Sequence, residues 1–122
     1  MSQDPRATRL LVDAYGGGGF RVAATRHDGA VLIARARLWQ LGELRLADID
    51  ATTFAPIFEE MPDTAIVLLG TGPGMLPPPS GLRGDLKARG AVLETMATGA
   101  ACRTFNVLSG EGRLVAALLL AV

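Results

Sequence analysis

Ala65-Ile-Val-Leu-Leu-Gly-Thr-Gly-Pro-Gly74 decides the fold. Its first five residues are apolar without a break, the pattern of a strand covered on both faces. A loop rich in glycine and proline, Gly70–Pro79, comes next. Ser80 then opens a helix that carries Leu82 and Leu86 on one face and ends at Gly90. Ala91–Glu94 forms the following strand, Thr98 caps a second helix, and Arg113–Ala121 reads as a last buried strand. Strand–helix–strand–helix–strand implies parallel strands joined by right-handed crossovers.

Upstream the pattern changes. Arg9–Tyr15 reads as a strand, and the four glycines Gly16–Gly19 form a turn that no helix tolerates. Phe20–Thr25 alternates, His27-Asp-Gly29 has the composition of an Asp-Gly turn, and Ala30–Ala34 and Leu38–Leu41 extend an antiparallel meander. Thr52–Met61 is a short helix, with Pro56 in its first turn and Ile57 and Phe58 facing inward. The expectation is therefore an α/β fold. It is a three-layer single domain over 1–122, whose mixed central sheet begins as an antiparallel meander and continues as β-α-β-α-β. Residues 1–8 are expected to be a flexible N-terminus.

The totals narrow the function. The chain has 122 residues, enough for one core without staples, and nearly half of them are apolar. Net charge is zero and every positive side chain except Lys87 is an arginine, scattered along the chain. That distribution argues against nucleic acid or an anionic membrane as partner. One cysteine excludes an internal disulfide, and one cysteine with one histidine is too little for zinc. No metal or cofactor is called for. The start lacks the apolar core of a signal peptide, and 114–122 is too short to span a bilayer. A cytoplasmic protein, not integral to a membrane, is expected.

Chemical interest concentrates at the second helix. On a 3.6-residue wheel, Ala100, Ala101, Thr104, Phe105, Val107 and Leu108 share the core arc, while Cys102, Arg103, Asn106 and Ser109 fill the rest. A thiol near a helix start beside an arginine is a candidate for activation, with Asn106 orienting a bound group. Against that, no general base is in view, and free cysteines are commonly buried. The packing reading, with Arg103 paired to Glu94 or Glu111, is favoured.

Gly70-Thr-Gly-Pro-Gly74 is neither a dinucleotide fingerprint, because Met75 replaces the third glycine, nor a Walker loop. A tight turn is the simpler reading. Yet it and Thr95–Gly99 both follow strands of parallel type, and crevices form beyond the carboxyl ends of such strands. If the strands are neighbours, Thr71 and Gly72 meet Thr98 and Gly99 around a small crevice suited to an anion. Glu94, Cys102, Arg103 and Asn106 complete the candidate set, and no catalytic residue is assigned.

Gly16–Val22, Gly29–Ile33 followed by Trp39, Val67–Gly72 and Glu94–Gly112 stand in a characteristic order. Together they resemble the family that contains assembly factor 3 of mitochondrial respiratory complex I, an adipogenesis-associated member and many small prokaryotic proteins. Glu94-Thr-Met-Ala-Thr-Gly-Ala-Ala-Cys-Arg-Thr-Phe-Asn-Val-Leu108 is the most specific part. The resemblance implies a three-layer α/β domain in a member of the bacterial branch; functionally it implies less, since the mitochondrial relative helps assemble a membrane-bound enzyme and most bacterial members have no established activity. It carries over no catalytic residues. Members usually have Asp where this chain has Ala97, so a site using that carboxylate would be impaired here.

Two functions follow. The first is a non-catalytic protein-binding or assembly factor, with respiratory-chain subunits as possible partners. Its contact surface would include Phe20, Trp39 and the Met75–Pro79 loop. The alternative is a small-anion or small-molecule binding protein or enzyme using the crevice. A homodimer through an edge strand of the meander is left open.

Overall fold

A computed structural model describes residues 9–122, so the expectation for 1–8 lies outside the described residues. Among the described residues, eight strands and three α-helices follow in the order β1 (Val12–Gly16), β2 (Gly19–Val22), β3 (Thr25–Asp28), β4 (Ala30–Ala34), β5 (Arg37–Gly42), α1 (Ala55–Glu60), β6 (Ile66–Gly70), α2 (Leu82–Lys87), β7 (Val92–Met96), α3 (Thr98–Gly110) and β8 (Val115–Leu119). The expected α/β class, mixed sheet and strand–helix alternation are all present. Five strands form the central sheet in the order β5-β4-β8-β6-β7. β6 runs parallel to both β7 and β8, and β4 runs antiparallel to β5 and β8.

Both faces of this sheet are covered at its centre, which is why β4, β8 and β6 read as continuous apolar runs while the edge strands β5 and β7 do not. Leu32, Val67, Leu69, Ala116 and Leu118 point to one side and pack with Phe54, Ile57, Leu82 and Leu86 beneath α1 and α2. Val31, Ile33, Leu68, Ala117 and Leu119 point to the other, against Ala101, Cys102 and Phe105 of α3 and Phe20 and Val22 of β2. Three layers result.

The antiparallel start is present but divided. β1, β2 and β3 form a separate three-stranded sheet, while β4 and β5 belong to the central one. The break falls at Gly29, with φ of +82°, where a Cβ would stand 2.7 Å from the carbonyl oxygen of Gly42. The chain passes between sheets only because that side chain is missing.

Several local expectations are corrected. The Asp-Gly composition at 27–29 does not make the hairpin turn. The turn is Ala23-Ala24, at φ of 50° and 65°, and His27 lies within β3. Register with β2, set by buried Phe20 and Val22, overrides turn preference. The helix expected over 52–61 is a 3-10 turn, Ala51–Phe54, running into α1, because Asp50 caps the backbone at Thr52 and Thr53 one turn earlier. α2 begins after Gly81 in the left-handed region, with no side-chain cap from Ser80. Thr98 is the first residue of α3 rather than its cap, and its hydroxyl is used elsewhere.

Candidate functional site

The carboxyl ends of β6, β7 and β8 lie along one edge of the central sheet, and Gly42 at the end of β5 joins them. Since β6 and β7 are neighbours, the 71–72 and 98–99 corners do meet. They meet by hydrogen-bonding to each other. Thr98 N donates to Gly72 O at 2.8 Å, and Gly72 N donates to Thr98 Oγ1 at 2.9 Å. Thr71 N donates to Met96 O at 2.9 Å, and Thr98 Oγ1 donates to Leu120 O at 2.7 Å. The amides of Thr71, Gly72 and Thr98 are thus engaged in a sealed corner.

The amides left over are those of Gly99 and Ala100, which have no backbone acceptor among the described residues. They line a pocket of about 260 Å³ with Gly72, Pro73, Ala97, Arg103, Val122 and Tyr15. Tyr15, from β1, lies so close over Gly99 that a Cβ there would stand 2.8 Å from its Cζ. Arg103 Nη1 donates to the Tyr15 hydroxyl at 3.3 Å, and no ion pair joins Arg103 to Glu94 or Glu111 among the described residues.

The other candidates go elsewhere. Cys102 is 2% exposed, within the α3 core. Burial pushes its thiol up to about 11, and the charge of Arg103 offsets only part of that. Such a thiol is the reverse of an activated one. Asn106 Nδ2 donates to Val12 O, and its Oδ1 accepts from Val12 N, both at 2.8 Å. It therefore serves β1 as a surrogate strand partner. Glu94 is exposed on β7 and lines none of the pockets described here.

A larger cleft of about 660 Å³ opens at the same edge, between the two sheets. Its walls are Gly18, Asp28–Ala30, Gly42–Leu46, Thr71–Pro73 and Leu120-Ala121. Gly18, Gly29, Gly42 and Gly72 all have positive φ, and at Gly18, Gly42 and Gly72 an added Cβ would meet nothing within 4 Å. The glycines leave the cleft open. Its charged rim is largely neutralised, with Arg26 pairing Asp28 at 3.0 Å and Arg45 pairing Asp48 at 3.4 Å. No Ser, Cys, His or Lys lines it. Sequence reading found only its Thr71–Gly72 wall, because the remainder converges from four separated segments. Gly29 after β3 and Gly42 at the end of β5 were the available signal.

Among the described residues no group of three His, Cys, Asp or Glu side chains is placed to hold a metal, and no helix is long and apolar enough to cross a membrane. The architecture is that of a three-layer α/β domain with a cleft at the carboxyl edge of a mixed sheet. The chain belongs to the family described as protein of unknown function (DUF498/DUF598), whose model matches residues 12–120. It is 37% identical over 115 residues to an uncharacterised protein of Rhodobacter capsulatus, covering 93% of this chain and 86% of that one. It is 31% identical over 122 residues to human NADH dehydrogenase (ubiquinone) 1 alpha subcomplex assembly factor 3, covering 98% of this chain but 65% of the human protein. A Bartonella henselae crystal structure, described as an outer membrane protein, superposes with a TM-score of 0.85 at 38% identity, covering 93% of this chain and 96% of that one.

Proposed function

We propose that the domain is a non-catalytic assembly or interaction factor that receives part of a protein partner in the 660 Å³ cleft. The observation that carries this reading is the chemistry of the lining. Leu44, Leu46, Leu120, Ala30, Ala121 and Pro73 supply apolar wall, and no nucleophile stands beside a base. The name of the human relative supports the same class of function, and respiratory-chain subunits are the first partners to test. Under this reading the domain works in the cytoplasm.

The test is a gene deletion complemented with Leu44→Glu or wild type, read by native-gel abundance of respiratory complexes. Leu44 is half-buried at the cleft, so a carboxylate there repels an apolar partner; because its side chain also packs against the core, the variant's fold is checked by its amide spectrum and melting temperature. Loss of assembled complex with the variant alone is the expected result. An unchanged gel pattern in the deletion strain itself would sink the respiratory reading.

A second reading rests on the 260 Å³ pocket, where two free amides, Arg103 and the Tyr15 hydroxyl converge. A small anion fits that chemistry. Phosphate or sulfate should then shift the amides of Gly99 and Ala100 in NMR spectra, with Arg103→Ala abolishing the effect. Silence at both amides excludes this reading.

A further inference from the structure

β7 (Val92–Met96) ends the central sheet, with β6 on one side and no strand on the other among the described residues. Its backbone directions follow from its bonds to β6 and its loop. Val92 N donates to Ala65 O at 2.9 Å, and Met96 O accepts from Thr71 N at 2.9 Å. A strand residue turns its N–H and C=O to one side, and the next residue turns both to the other. Val92, Glu94 and Met96 therefore face β6, while Leu93 and Thr95 face outward, roughly 6.6 Å apart. Arg83 of α2 marks that outer side, since its Nη1 donates to Leu93 O. The N–H groups of Leu93 and Thr95 and the carbonyl of Thr95 have no partner among the described residues.

Outward donors and acceptors at strand spacing are matched by another extended backbone. The side chains along the edge decide whose. Leu93 is buried on the face that α2 covers, and Val92 and Glu94 are exposed on the opposite face. Along the α2 flank Arg83 reaches the edge, and Lys87 follows one turn later on the same side, with Asp85 turned away from both. A second copy of this chain is a poor match. Paired antiparallel about a two-fold axis, it would bring Arg83 and Lys87 against their own copies on one face and the Glu94 carboxylates toward each other on the other. An acidic strand is the complement.

We infer that β7 is a docking edge for an extended segment of a protein partner. That segment alternates acidic side chains, toward Arg83 and Lys87, with apolar side chains, toward Val92. It adds to the central sheet as a further strand. Arg83 holds its place in the meantime: the bond to Leu93 O passes to a backbone N–H of the segment, and the guanidinium turns to the segment's carboxylate. This edge is the one opposite β5 and shares no residue with the 660 Å³ cleft, so the inference does not rest on the cleft reading.

NMR titration of the intact domain with an acetylated, amidated hexapeptide of alternating Glu and Val tests it. At millimolar peptide the amides of Leu93 and Thr95 should shift and their exchange should slow. The same hexapeptide N-methylated at every residue donates no backbone hydrogen bond and should leave them unmoved. A Lys-Val hexapeptide should bind about fivefold more weakly, the effect of two exposed charge pairs. Arg83→Glu should reverse that preference. Thr95→Pro removes an outward N–H that a strand edge can spare, so the sheet should persist while peptide binding is lost. The N-methylated peptide makes the same test on the unaltered chain. No shift at Leu93 and Thr95, equal binding of the N-methylated peptide, or equal binding of the Glu-Val and Lys-Val peptides would each overturn the inference. So would a dimer of the domain in light scattering with β7 paired to its own copy. Leu44→Glu separates the two proposals, since it disables the cleft while leaving the peptide on β7.

Discussion

Thr98 and Gly72 are locked together by a reciprocal pair of hydrogen bonds, 2.8 Å from Thr98 N to Gly72 O and 2.9 Å from Gly72 N to Thr98 Oγ1. The same hydroxyl donates to Leu120 O at 2.7 Å. One fully buried side chain thereby joins the ends of β6, β7 and β8. Thr98→Val preserves the packing volume but orphans Gly72 N–H and Leu120 C=O. At about 1–3 kcal/mol for each of the two buried groups left unpaired, the variant should lose roughly 2–6 kcal/mol. Urea unfolding measures it, and Thr98→Ser should recover most of the loss.

Gly29 makes a further close approach at this edge. A methyl there would stand 2.7 Å from Gly42 O and 2.8 Å from Gly42 Cα, both backbone atoms, at a φ of +82°. Strain and overpacking add, so Gly29→Ala should cost on the order of 3 kcal/mol. Gly42→Ala is the control. It has positive φ but meets nothing within 4 Å, so it pays only the conformational term, roughly 1–2 kcal/mol.

These corners show what was legible. The run 65–69 and the strand–helix alternation after it were readable because a doubly covered sheet imposes uninterrupted apolar stretches. Placement of the 71–72 loop against 98–99 was also readable, from the rule for carboxyl ends. What the corner does there was not. Whether Thr98 caps its own helix or bonds across to Leu120 depends on β8 lying beside β6, a contact between residues far apart in sequence. Asn106 shows the same limit, since the wheel placed it on the helix surface and gave no hint that β1 would dock there. The wheel set Cys102 off the core arc, whereas it is buried in the cluster that α3 shares with β1, β2 and the central sheet.

The Ala23-Ala24 turn is an unresolved conflict between register and turn chemistry. Both alanines hold positive φ, 50° and 65°, a conformation in which Cβ crowds the backbone. The two-residue connection between β2 and β3 favours Asn-Gly. Replacing Ala23-Ala24 with Asn-Gly removes that strain, less the added freedom of glycine in the unfolded chain. It should raise stability by about 1 kcal/mol. The Ala24 N–H bond to Asp13 Oδ2, 3.2 Å, survives the change. A higher melting temperature with an unchanged β2–β3 register in NMR is the expected result.

Asn106 holds the inner end of β1 by two 2.8 Å bonds to Val12, in partly buried surroundings. Asn106→Leu removes both and leaves Val12 N–H and C=O without that partner in partly buried surroundings, for about 1–3 kcal/mol. The loss should be local before it is global. Amide exchange at Val12 should accelerate strongly while exchange in β6 and β8 follows only the global change. Asn106→Asp keeps the bond from Val12 N but sets an oxygen against Val12 O, so exchange at Val12 should slow again when acid protonates the carboxyl.

Cys102 gives stability a dependence on alkaline pH. Burial raises its thiol from an ordinary 9.0 to about 11. Below pH 9 folded and unfolded chains both hold the neutral thiol, and the group adds no pH dependence. Between pH 9 and about 11 the unfolded chain releases the proton and the folded chain retains it, so stability falls. The slope from one group is at most about 1.4 kcal/mol per pH unit. Cys102→Ala should flatten the curve over that window relative to wild type, at the cost of a small cavity near Phe105. Iodoacetamide supplies the kinetic counterpart. At pH 8 the native protein should label far more slowly than the denatured chain, and its rate should climb only as pH approaches 11. Rapid native labelling at pH 8 would show an accessible thiolate and overturn the packing role of Cys102.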